Sequence, residues 1–431
     1  MSARRAPERV EFPGSQGVPL AGRLQSKVLR VLVTGQVLGG VAFGATVSIG
    51  ALLAAAVSGS NAWSGMAATM STLGAALVAI PLARAAQARG RRVSLSAGSL
   101  LAAAGALLAT VAAGTHSFPM LLVGLALAGA ASATNLQARF AATDLALPTR
   151  RARDLSVVIW STTIGAVLGP NLIEPGEAIG AMIGLPTLTG PFVFTIGTQL
   201  AAVAVYSFGL RPDPLLTALE TRSTLVVARP KHGLAIFRTN PLARFAVVSV
   251  ALSHTAMVAL MSMTPIHLYD HGATLAIVGF TISLHIAGMY ALSPVFGWLA
   301  DKMGRIPVIL FGQALLLAAL VAAWVGSESV GMVTLSLILL GLGWSAAIIA
   351  ASTLVAESVR VEERAGLQGF SDLVMNSSAA MGGALAGPVL TIIGYSGLGL
   401  VCMALMAVVV VWAISRQLRS RRTESIGGVS A

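Results

Sequence analysis

Between residues 28 and 415 the chain is a succession of long apolar stretches, each near the length needed to cross a bilayer. A helix rises 1.5 Å per residue, so about 20 apolar residues match a hydrocarbon core about 30 Å thick. The spacing predicts twelve such spans, over 28–57, 62–83, 93–113, 118–140, 155–173, 188–209, 240–266, 274–299, 306–325, 330–352, 367–392 and 396–415. Only 10% of the 431 residues are charged, whereas soluble domains carry about 25%. The expected class is therefore an all-α, polytopic membrane protein.

The formal net charge of +12 would suit a nucleic-acid binder, but its placement argues otherwise. Lys and Arg fall in the N-terminal segment, in alternate loops with their flanking helix ends, and in the C-terminal tail: Arg4 to Arg30, Arg84 to Arg92, Arg139 to Arg153, Arg211 to Arg244, Lys302 and Arg305, Arg360 and Arg364, and Arg416 to Arg422. The intervening loops carry none of them, but hold Glu174, Glu177, Asp270 and Glu328. This is the positive-inside pattern, which predicts both termini in the cytoplasm and a multi-pass protein of the plasma membrane. Basic charge then sets topology and meets anionic lipid, not nucleic acid. Cys402, the single cysteine, permits no internal disulfide and reads as packing.

The longest polar connection, near 211–238, is basic and interrupted by Pro212, Pro214, Pro230 and Pro241. It divides the chain into a tail (1–25), a first six-span bundle (26–210), a linker (211–239), a second bundle (240–416) and a C-terminal tail (417–431). Internal repetition supports the division. Gly304-Arg305 lies 214 positions after Gly90-Arg91, and the G-x-x-x-G-P run Gly165, Gly169, Pro170 returns 218 positions later as Gly383, Gly387, Pro388. Asp144 and Glu357 close the fourth and tenth spans. Two parallel halves place a substrate near the midplane between them. The two glycine runs predict close helix approach and a bend.

Several side chains carry possible chemistry. Met257 and Met261 are four apart in the seventh span, with His254 one turn before them, and His285 and Met289 are four apart in the eighth. Residues at i and i+4 share a helix face. Thioether with imidazole favours a soft ion such as Cu(I), while methionine also fills gaps in apolar cores. Met263, with Pro265 and His267 beyond it, suggests an entry point. Arg139 reads equally as a gating charge or as a snorkelling helix end. Asp372 is a candidate for proton coupling or for interface capping. His116, His232 and His271 fall in loops or the linker and are expected to be solvated. The chain shows no nucleophile elbow, phosphate loop or metalloprotease motif, so an enzyme is not expected.

The run Gly297-Trp298-Leu299-Ala300-Asp301-Lys302-Met303-Gly304-Arg305 resembles the signature loop G-x-L-A-D-[RK]-x-G-R of the major facilitator superfamily. The resemblance covers about 28–416 and implies two pseudo-symmetric six-helix bundles that work by alternating access. It also implies a gating latch of Gly297, Asp301, Gly304 and Arg305, with Glu357 as the acid for Arg305; on residue chemistry alone, Lys302 and Arg305 could serve topology only. Arg139 and Asp144 are gating candidates in the first half, where the other loop copy carries Gln87 in place of the acid. Within that superfamily the paired Met and His residues resemble the CcoA-type copper importers, which carry M-x-x-x-M on the seventh span and H-x-x-x-M on the eighth. That implies copper as a transported ion at Met257, Met261, His285 and Met289, with His254 nearby. No permanently bound cofactor is implied, and a monomer is expected. The alternatives are a carrier of a small organic solute or drug, which the low aromatic content of 5% disfavours, and a non-transporting metal sensor, which would call for a soluble signalling domain.

Overall fold

A computed structural model describes the backbone of residues 17–146, 151–221 and 233–427, with side chains at most of the positions between 23 and 415. The Arg4-Arg5 segment, His232 and the side chains of the C-terminal tail lie outside the described residues. Among the described residues there is no strand. The crossing helices are α1 (Arg23–Ser58), α2 (Met66–Arg89), α3 (Arg91–Gly114), α4 (Phe118–Asp144), α5 (Val157–Met182), α6 (Pro191–Gly209), α7 (Pro241–Asp270), α8 (Leu275–Met303), α9 (Arg305–Val325) and α10 (Val330–Glu357). The last apolar stretch, Gly366–Ser415, is 50 residues long. As one rod it would reach about 75 Å, more than twice a bilayer core. It breaks at Gly394, whose φ of 72° and ψ of −179° are not helical, and so gives α11 (366–393) and α12 (395–415).

Outward faces carry Leu77, Ile80, Leu107, Phe208, Ile392 and Val411, all exposed, as lipid-facing positions should be. Inward faces are filled by small and aliphatic side chains. In the first half one core lies around Leu32, Leu95, Ala138, Ala202 and Tyr206 and another around Ile49, Leu53, Leu121 and Phe192, which Ile266 of the second half joins. Two lie in the second, around Met257, Leu316, Leu340 and Cys402 and around Phe245, Ile309, Ala350 and Val409. Cys402 is 1% exposed, as packing requires.

The two G-x-x-x-G-P runs are used differently. In α5, a methyl group added to Gly165 or Gly169 would collide with the Val37 or Val41 carbonyl of α1, so the first copy packs inside its own half. In α11, a methyl on Gly387 would collide with the Ala62 carbonyl just before α2, so the second copy packs across to the other half.

Two expectations change. The polar run Asn171 to Glu177 predicts an end of the fifth span near 173. Instead the chain passes through a short 3-10 turn (Gly169–Leu172) into a helix, Ile173–Met182. The Glu177 carboxylate accepts from the Leu188 and Gly190 N–H groups at 2.9 and 2.8 Å, so an acid that reads as a loop residue closes a turn. The linker is not wholly irregular: Pro214–Thr221 and Gly233–Thr239 are helices.

Candidate functional site between the two halves

Both halves present the same ion pair at the end of the molecule where the basic loops lie. Arg91 donates to both Asp144 oxygens, at 2.9 Å from Nε and 3.3 Å from Nη2. At the equivalent place Arg305 donates to Glu357 at 3.1 Å from Nε and 2.8 Å from Nη2. Such two-pronged contacts fix a guanidinium in plane and direction. Gly90 and Gly304 precede these arginines with φ of 87° and 92°, a left-handed turn that a side chain would strain. That is the physical content of the repeated Gly-Arg.

The copies differ at the acid. Asp301, four before Arg305, receives its Nη1 at 2.7 Å, yet its side chain is 73% exposed. Gln87, four before Arg91, holds no such bond among those described. Asp213, beyond α6, stands in instead: its Oδ2 accepts the Arg92 N–H at the start of α3, at 2.8 Å, where the helix dipole favours a negative charge. Gly297 faces open space.

The Met and His residues take distinct environments. Met257 and Met289 are buried, at 2% and 6% exposure, in one apolar cluster of the second half, and Met261 packs at its margin. Met261 also touches a cluster that joins Ala166 of α5 to Ile282, Ile286 and Leu337. His285 is wholly buried, and its Nδ1 lies 2.8 Å from the Leu337 carbonyl. The carbonyl can only accept, so Nδ1 carries the proton and Nε2 presents a lone pair, for which no protein partner is found. His254 is the reverse. Its Nδ1 accepts from the Trp344 Nε1–H at 2.9 Å, which leaves the neutral ring its proton on Nε2. Helix α7 packs mainly on the stretch that forms α11 and α12, α8 packs mainly on α10, and the two touch one another little. Among the described residues no three His, Cys, Asp or Glu side chains converge as a metal cluster would. Met263 is fully buried and His267 binds the Ser327 carbonyl at 2.7 Å, so neither lines an entrance as expected. His271 is exposed, as expected, and is also tied to the His267 carbonyl and to Glu328.

Arg139 of α4 is half-buried. Its Nε is buried without a hydrogen-bond partner, and Tyr290 of α8 and Asp372 of α11 lie close enough for their charges to act on it. An arginine of one half thus lies within electrostatic reach of a half-buried phenol and an exposed carboxylate of the other, without a direct ion pair among the described residues. Beside it, Asn135 is buried, and its carbonyl accepts from Gln36 of α1 at 3.3 Å. Tyr290 stands edge-on to Trp344 at 6.0 Å between ring centroids, and Trp344 leans on His254 at 5.8 Å. This aromatic wall was missed in the sequence. The available signal was position: Tyr290 and Trp344 are isolated rings in the middle of apolar spans of a chain with 4 Tyr and 6 Trp.

The hydrogen bonds found between the halves among the described residues lie at the opposite end. Asn61 donates to Asp270 at 2.9 Å, Thr69 to the Ala380 carbonyl at 2.8 Å, and Asn171 to Ser283 at 2.6 Å. Ser283 in turn contacts the Val167 carbonyl. The arrangement is a pair of bundles closed at one end, with a polar and aromatic site part-way along.

The pattern that describes the Major Facilitator Superfamily matches residues 31–272 and again 246–428. The chain belongs to that superfamily. It is 37% identical over 407 residues to the uncharacterized MFS-type transporter YddS of Bacillus subtilis (strain 168), covering 91% of this chain and 92% of that one. It is 27% identical over 390 residues to the riboflavin transporter RfnT of Brucella anthropi, covering 90% and 94%. A solved bacterial homolog of the human lysosomal transporter Spinster, described as inward-facing and unoccupied, superposes with a TM-score of 0.63 at 18% identity, covering 90% and 95%. At that identity the likeness concerns the fold. As a superfamily member the chain is a secondary transporter, not an enzyme.

Proposed function

We propose that this transporter carries a small organic solute by alternating access, bound between the halves by Arg139, Asp372 and the Tyr290–Trp344–His254 wall. The observation that carries the proposal is the buried, unpartnered Nε of Arg139 set against Tyr290 and Asp372 across the bundle divide. A donor left unpaired away from water costs about 1–3 kcal/mol, and a bound solute is the natural acceptor for it. The riboflavin named for RfnT makes riboflavin the first candidate to test.

Sidedness follows from the basic loops: the end with Arg91 and Arg305 is cytoplasmic by the positive-inside rule. The joined end is then the outer one, and Asp301, Arg305 and Glu357 are already bonded to one another in this state, so any latch they form against the first half would come from the assembled group when the cytoplasmic side closes. In this reading Asp372, near Arg139, would exchange a proton as the site loads.

A second reading, copper import, keeps one favourable observation. His285 has the tautomer of a metal ligand: a ring N–H held by a backbone carbonyl and a free Nε2 lone pair. Uptake into proteoliposomes of riboflavin and of Cu(I), offered separately, tests both. Riboflavin uptake lost in Arg139→Ala supports the organic solute. Cu(I) uptake that persists in Arg139→Ala and is lost in Met257→Ala and His285→Ala, with riboflavin excluded, hands the function to the copper reading.

A further inference from the structure

The balance of groups around Arg139 narrows the kind of organic solute the site can hold. Trp344 has spent its only donor, Nε1–H, on His254, so what it can offer a ligand is its ring face. Tyr290 stands edge-on to that ring and packs against the cluster that includes Ala166 of α5, which places this wall at the divide between the bundles. His254, held by Trp344, keeps Nε2–H as a donor. Arg139 adds a second, unpaired donor at Nε. Against these stands one carboxylate, Asp372. Charge is balanced: one guanidinium, one carboxylate, and a histidine whose bond from Trp344 requires it neutral at Nδ1. Asp372 is exposed while the Arg139 Nε is buried, so a net charge added beside the buried donor leaves one ion without a counter-charge where solvent screens it least.

We propose that the Arg139–Asp372–Tyr290–Trp344–His254 site selects a planar, ring-shaped solute of no net charge, stacked on the aromatic wall with carbonyl-type acceptors turned to Arg139 and His254. This rests on the organic-solute reading above and narrows it to a chemical class. Stacking supplies affinity with little regard to ring substituents, while the donors supply orientation.

The test uses the full-length transporter in lipid nanodiscs and three fluorescent tricyclic probes of similar size: lumichrome (neutral), anthracene-2-carboxylate (anion) and proflavine (cation). The wild-type protein is expected to bind lumichrome at least about tenfold more tightly than either ion. Trp344→Ala should weaken lumichrome by about tenfold or more, the cost of one lost stack, while Trp344→Phe retains most of the affinity. Asp372→Asn leaves Arg139 unbalanced and should raise affinity for the anion; Arg139→Gln should raise affinity for the cation. These are gains, which a damaged fold does not give. Preference of the wild type for a charged probe, no binding of lumichrome, an unchanged Trp344→Ala, or no shift of charge preference in either single variant overturns the proposal. Uptake of a non-aromatic organic solute that needs Arg139 would overturn this class while leaving the organic-solute reading intact. Uptake of Cu(I) alone would end both.

Discussion

At the scale of single residues, the polar groups inside the bundles set the costs. Gln313 of α9 donates to the Ser253 hydroxyl of α7 at 2.7 Å, and both are buried. Ser253→Ala would strand that amide, and a loss of about 1–3 kcal/mol is expected, measured as a lower midpoint of thermal unfolding in detergent. Arg305 gives a contrasting case. Its two-pronged hold on Glu357 depends on the planar guanidinium, so Arg305→Lys should lose the geometry while keeping the charge. Because Glu357 is half exposed, the expected cost to stability is about 1 kcal/mol or less; the larger effect should be on transport rate. At this scale the sequence was only partly readable. The latch residues were visible as a motif, and Arg139 and Asp372 stood out as charges within spans. Asp213 taking the place that Gln87 vacated, Glu177 closing a turn and Trp344 leaning on His254 were not visible. Each depends on which helices are neighbours, and residue order does not fix that.

At the scale of helices, span positions were readable almost throughout. Apolar length and basic residues at one end mark the spans, and side-chain caps mark the starts of α7, α8 and α10 at Asn240, Thr274 and Ser329, with the Asn240 side chain accepting from the Leu242 and Ala243 N–H groups. Less visible were the partners of small residues. Gly65, just before α2, lies so close to α11 that a methyl group there would strike the Gly383 carbonyl. Gly65→Ala should therefore push α2 and α11 apart and shift the population toward forms open at that end. The measurement is reaction of a cysteine introduced at Thr69 with a membrane-impermeant maleimide, on a Cys402→Ala background, with and without Gly65→Ala. Faster labelling in the presence of Gly65→Ala is expected, and unchanged labelling would show that the glycine contact does not hold the end shut.

For the whole molecule, repetition carries the architecture: the Gly-Arg and G-x-x-x-G-P runs mark two halves in the order of residues alone. What repetition does not reveal is the state in which the halves meet. The described cross-bundle bonds lie at one end, anchored by Asn61–Asp270, Thr69–Ala380 and Asn171–Ser283. Asp270→Ala combined with Ser283→Ala should loosen that closure. Spin labels at Ser117 and Ser329, one on each half near that end, should report a longer mean separation by pulsed electron resonance. A distribution identical to that of the parent protein would place the closing energy elsewhere, in the apolar contacts of α2 with α11 and of α5 with α8.

The unequal use of the two glycine runs has a consequence for how the gene tolerates change. Crowding at Gly165 or Gly169 burdens every conformer alike, because α1 and α5 belong to one bundle and travel together; such alleles should show as poor expression. Crowding at Gly387 burdens only conformers in which α11 rests on the start of α2; such alleles should express normally and misbehave only in turnover. Two inherited copies of one motif would then answer to different selective pressures, one for assembly and the other for timing.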